Sequence, residues 1–151
     1  MYTTNEKNIA TVIHLSTLTQ YCIPFGNYIF PILIWSSKKE ESEFVDFNGK
    51  QALNFQLSIL LYSLVLLAIS IPLLIFTVLQ NLPMEQFEYN SHFFREHVFI
   101  GNLPVIGIIG IITGALFVLV KFIEIIIIIY AAVKALNGER YNYPLSIPFF
   151  K

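Results

Sequence analysis

Phe44-Val-Asp-Phe-Asn-Gly-Lys-Gln-Ala-Leu-Asn-Phe-Gln-Leu-Ser-Ile-Leu-Leu-Tyr62 is the stretch on which the fold turns. It begins charged and passes without a breaker into purely apolar sequence. Read as a helix from about Gly49, it sets Gln51, Asn54, Ser58 and Tyr62 at steps of three, four and four, which is one face. A polar stripe therefore descends from water into an otherwise apolar helix. It needs partners from the apolar segments on either side.

Composition sets the class. The chain has 151 residues, 56% hydrophobic and 13% charged, with a mean hydropathy of +0.67. Average soluble domains carry roughly 25% charged residues, and a soluble fold of this length could not hide so much apolar surface. The net charge of −1 offers no basic patch, so nucleic acid is excluded as a partner. The single cysteine, Cys22, cannot form an internal disulfide and reads as a small buried hydrophobe. Residues 1–8 do not read as a signal peptide.

Outward from the stripe, apolar sequence fills 9–35, 55–79 and 103–133. About 20 residues span a bilayer core. The first segment is broken at Cys22-Ile-Pro-Phe-Gly-Asn27, where Pro24 removes a backbone donor and Gly26 tolerates positive φ. It is either one kinked span or two helices, about 6–21 and 27–35, meeting at a turn. Thr11, His14 and Tyr21 share a face of the first piece. His14 is its one ionisable group, either a neutral hydrogen-bonding side chain or a relay. The second segment is a spanning helix that Pro72 should kink and Leu82-Pro83 should end.

The third helix carries Gly110, Gly114, Phe117, Lys121 and Glu124 on one seam, at steps of four, three, four and three. Gly110 and Gly114 form a small-xxx-small pair suited to close helix approach. Lys121 and Glu124 are spaced to pair, and charges in a membrane helix face protein or a wet cavity. Asn137-Gly138 stops the helix. Beyond it the tail 137–151 alternates Leu145, Ile147 and Phe149, which suggests an extended, interfacial segment.

Polar segments divide the chain: 36–54, the aromatic-rich 81–102, and the tail. Glu40, Glu41, Glu43 and Asp46 lack the alternation and glycine turn of a calcium loop. His92 and His97 are five apart, off a common helical face. Neither a metal nor a cofactor is expected. Lys38, Lys39 and Lys50 lie in the first polar segment and Lys134, Arg140 and Lys151 in the tail, against Arg95 alone in 81–102. The positive-inside rule puts the first segment and the C-terminus in the cytoplasm.

Several patches resemble one family: His14-Leu-Ser, Pro24-Phe-Gly-Asn27, Pro31-Ile-Leu-Ile-Trp35, the run from Phe44 to Gln56, and Val133-Lys-Ala-Leu-Asn-Gly-Glu-Arg-Tyr-Asn-Tyr-Pro-Leu145. Together they are similar to the Tic-twenty-like small bacterial membrane proteins, a domain of unknown function remotely like a subunit of a chloroplast inner-envelope import translocon. That family usually has His after the Asp-Phe; here the position is Asn48. The resemblance implies an all-helical membrane bundle and no catalytic residues.

The expectation is an all-α integral membrane helical bundle with a broken first helical element and two long transmembrane helices, multi-pass in a cell membrane such as the bacterial inner membrane. The candidate intramembrane polar cluster is His14, Gln51, Asn54, Ser58, Lys121 and Glu124, with Gly110 and Gly114 as the packing seam. A non-enzymatic scaffold or assembly subunit fits best, its partners being the lipid bilayer and other membrane proteins or copies of itself. A small transporter with a polar path is the alternative. Nucleophile–base motifs and phosphate-cradling loops are missing from the sequence.

Overall fold

The structure is a computed structural model and describes residues 2–80 and 103–151. The aromatic segment, His92, His97 and the Leu82-Pro83 stop lie outside the described residues. Four α-helices are described: α1 (Thr4–Ser16), α2 (Gly26–Lys38), α3 (Glu43–Gln80) and α4 (Leu103–Leu136). A 3-10 segment, Thr17–Tyr21, extends α1.

The first apolar region folds back on itself. α2 packs against both the 3-10 segment and α1. The reversal is a tight turn at Ile23-Pro24-Phe25-Gly26, closed by the Gly26 amide donating to the Ile23 carbonyl at 3.0 Å. Proline presets the second turn position, and the third takes positive φ. That third residue is Phe25 (φ 61°), not Gly26 as the sequence suggests. Gly26 is required for space instead: a Cβ there would stand 2.6 Å from the Thr19 hydroxyl. The kinked-span reading is thereby set aside. Cys22, expected inside, is exposed on the turn. Tyr21 also points outward, because the 3-10 segment rotates successive side chains differently from the α-helix before it.

Polar sequence 36–54 is mostly helix. Only 39–42 separates α2 from α3, and α3 starts six residues before Gly49. The Asp46 amide donates to the Ser42 carbonyl, and Glu43 and Asp46 lie in the first turn, where carboxylates suit the helix dipole. Gly49 is again a matter of room: a Cβ would fall 2.2 Å from the Trp35 ring. That ring is fixed by its Nε1 donating to Asp46 at 2.9 Å and by edge contact with Phe150.

The chain divides into two compact units. The first, Met1–Tyr62 with Lys121–Lys151, is a bundle of α1, α2 and the adjoining parts of α3 and α4. Its core forms three clusters: Ala10, Phe44 and Ala135; Ile13, Val45 and Ala52; and Phe55, Ile128, Ala131 and Tyr143. Alanines at these contacts allow the backbones to approach closely. Ala131 and Ala135 are a small-xxx-small pair on α4 that the sequence reading missed. They continue the Lys121–Glu124 seam through Ile128 at steps of four, three and four. The second unit, Ser63–Val120, holds the remaining lengths of α3 and α4. Leu64, Ile69, Phe76, Ile111 and Val118 are all exposed there. Among the described residues nothing lies within 4 Å of a Cβ built on Gly110 or Gly114.

Two helical stretches, Glu43–Phe76 and Gly110–Leu136, are long and apolar enough to cross a membrane. α2, at 13 residues, rises about 20 Å, less than the ~30 Å hydrocarbon core.

Candidate functional site

The six polar residues picked from the sequence do not form one cluster. The first unit distributes them over three hydrogen-bonded sets, each built around a different demand.

The first set surrounds Glu124, which is 1% exposed. Its carboxylate accepts from Lys121 Nζ at 2.8 Å, Gln20 Nε2 at 2.9 Å and Gln56 Nε2 at 3.2 Å. Gln56 Oε1 in turn accepts from Asn27 Nδ2 at 2.7 Å, and Gln20 Oε1 from Lys121 at 3.3 Å. The 3-10 segment, α2, α3 and α4 thus each contribute a group. A buried carboxylate needs its lone pairs filled, and amide side chains can fill them while their own oxygens take further donors. Gln20, Asn27 and Gln56 escaped the sequence reading. Gln56 lies off the stripe on α3, Asn27 sits at the end of the break, and Gln20 just before it.

The second set is a chain through His14, which is fully buried. Asn48 Nδ2 donates to the Phe44 carbonyl at 2.8 Å, leaving Asn48 Oδ1 as acceptor for His14 Nε2 at 3.0 Å. His14 is therefore assigned as the neutral Nε2–H tautomer, with Nδ1 free to accept. The Tyr143 hydroxyl completes the chain at 2.9 Å from Nδ1. Burial pushes the Tyr143 phenol far above its ordinary range, so it stays protonated and donates. Its ring stacks on Phe55 with centroids 4.3 Å apart.

The third set answers the question posed by the stripe. Its partners are backbone groups of the C-terminal tail. Gln51 Oε1 accepts from the Tyr143 amide at 3.3 Å. Tyr62 donates to the Leu145 carbonyl at 2.7 Å. Ser58 accepts from the Ile147 amide at 2.8 Å while donating to the Asn54 carbonyl at 2.7 Å. Asn54 grips both backbone groups of Phe150, at 2.8 and 3.0 Å. The tail runs past Gln51, turns at Pro144-Leu145 and returns along Ser58 to Asn54. Leu145 has φ 58°, the same proline-then-positive-φ device as Pro24-Phe25. The turn breaks the expected alternation: Leu145 is 83% exposed, and the buried tail residue is Tyr143.

Every buried side-chain nitrogen and oxygen among the described residues has a partner. Among those residues no group of three or more His, Cys, Asp or Glu could hold a metal ion.

A family model described as the magnetosome magnetite crystal formation protein family, MamF/MmsF, matches residues 5–150. The chain belongs to that family. No curated protein and no solved structure matches it. The match across nearly the whole length overturns the Tic-twenty-like assignment, and with it the likeness to an import translocon. The motifs that carried the resemblance have local physical causes. Gly49 in the Gly-Lys-Gln-Ala-Leu-Asn-Phe run clears Trp35, and its Gln51 and Asn54 hold the tail. Gly138 (φ 79°) closes α4, with its amide on the Ala135 carbonyl and the Glu139 amide on that of Lys134. Unrelated helical bundles can share such solutions. Family and helices together make this member of the magnetosome magnetite crystal formation family a membrane protein.

Proposed function

We propose that this chain is a non-enzymatic scaffold of the magnetosome membrane, holding an assembly in place where magnetite crystals form. The observation that carries the reading is the self-sufficiency of its polar groups. His14, Gln51, Asn54, Ser58, Lys121 and Glu124 spend their hydrogen bonds on internal partners in three sets, two of which meet at Tyr143. A transporter would need them aligned along one wet path. A scaffold needs a rigid bundle and outward apolar faces, and Val12, Leu15, Ile29 and Leu33 are exposed on the helical hairpin.

In this reading α3 and α4 cross the bilayer, and α1 and α2 form a re-entrant hairpin that enters and leaves on one side. Lys7, Lys38, Lys39, Lys50, Lys134 and Arg140 lie near the helix ends on that side, six of the nine Lys and Arg in the chain. In this reading that side, with both termini, is cytoplasmic, which positive charge of that weight supports.

The test is the protein's mass in mild detergent, measured by light scattering on material purified from magnetite-forming cells. An assembly, with copies of itself or with other membrane proteins, is the expected result. A strict monomer with no co-purifying protein would contradict the proposal.

A further inference from the structure

The stripe on α3 and the tail fit each other in an unusual way. All five hydrogen bonds between the stripe and the tail go to backbone groups of the tail, at Tyr143, Leu145, Ile147 and twice at Phe150. The tail's amides and carbonyls are matched here by helix side chains. Asn54 is 3% exposed and Ser58 is fully buried with the tail in place. Lifted off, the tail would leave the Asn54 amide without its two partners and strip Ser58 of the Ile147 amide, in apolar surroundings that supply no replacement. Such a stripe requires another partner.

We infer that the tail is an intramolecular cap on a membrane-embedded association stripe, and that chains whose tail is displaced pair through Gln51, Asn54 and Ser58 with the same stripe of a second copy. A second copy is the occupant because the stripe is self-complementary. Asn and Gln each carry a donor and an acceptor, and Ser carries both on one oxygen. Two stripes related by a two-fold axis can therefore satisfy each other, the isologous arrangement most dimers use. Polar side chains of this kind hold membrane helices together across their interfaces. Gly138, at positive φ, separates α4 from the tail. The inference rests on the scaffold reading in taking another copy as partner; it adds a further self-pairing, beyond the assembly the full-length chain makes, that the tail holds off.

Three variants in detergent decide it, each compared with the full-length chain. Removing residues 142–151 should raise the protein mass per particle about twofold, a pair being the smallest closed assembly. A full-length Ile147→Pro/Phe150→Pro variant lacks two of the amides that Ser58 and Asn54 engage, and covers the case in which the shortened chain fails to fold. It should show the same shift. Adding Asn54→Leu and Ser58→Ala to either should return the mass to that of the full-length chain. An unchanged mass in the proline variant, or a raised mass that survives Asn54→Leu/Ser58→Ala, would overturn the inference. The mass of the full-length chain itself tests the scaffold reading, so the two can fail separately.

Discussion

Lys121 and Glu124 are unequal partners. The Glu124 side chain is fully buried, whereas that of Lys121 is 27% exposed. Lysine can carry its ammonium outward along a flexible stem when its partner is lost. A buried carboxylate has no such exit. Removing one member of a buried pair costs about 3–5 kcal/mol when the survivor stays charged and buried. Lys121→Met is therefore expected to cost an amount in that range, and Glu124→Gln clearly less, because Gln still takes donors from Gln20 and Gln56. Denaturant unfolding in detergent would read the difference, and equal losses would refute the asymmetry. That these two residues face inward was legible in the sequence, since their spacing and the lipid around them leave few options. The company they keep was not. Gln20 and Glu124 are 104 residues apart, and Tyr143 and His14 are 129 apart. Polar side chains carry no mark of which distant partner they meet.

At the scale of the helices, one end was legible and others were not. Gly138 stopped α4 where expected because a helix end is settled by local chemistry. The start of α1 carried an equally local signal that the sequence reading passed over. Thr3-Thr4-Asn5-Glu6 is a capping box, with the Glu6 amide donating to the Thr3 hydroxyl at 3.2 Å and the Thr3 amide to Glu6 at 2.6 Å. Glu6 also accepts from Ser42 at 2.5 Å, tying the start of α1 to the start of α3. The Ser42 hydroxyl, and then the Thr3 backbone amide and hydroxyl, hold the Glu6 carboxyl below its ordinary 4.5. A depressed carboxylate contributes stability above its unfolded value and loses it as pH falls through the folded one. Glu6→Gln should thus flatten the loss of Tm on acidification below about pH 4.5, compared with the parent chain. Parallel acid branches for the two proteins would show that Glu6 does not couple the helices.

For the whole molecule, the long α3 and α4 followed from apolar length alone. The course of 9–35 could not. Proline and glycine in mid-segment suit a kink and a reversal equally, and only long-range contacts choose. The structure chooses through Thr19 packed on Gly26, Glu6 on Ser42 and Arg140 on Glu43 at 2.7 Å. These bring the start of α1, the 39–42 connection and the end of α4 to one end of the first unit. The hairpin is the central claim, since the cap on Asn54 and the placement of both termini depend on it. Single cysteines at Thr4, Glu40 and Asn142, on a Cys22→Ala background, test it most directly with a membrane-impermeant thiol reagent. All three should react from the same side of sealed vesicles and none from the other. Reaction of the cysteine at residue 4 from the side opposite to residues 40 and 142 would make 9–35 a single crossing and contradict the account.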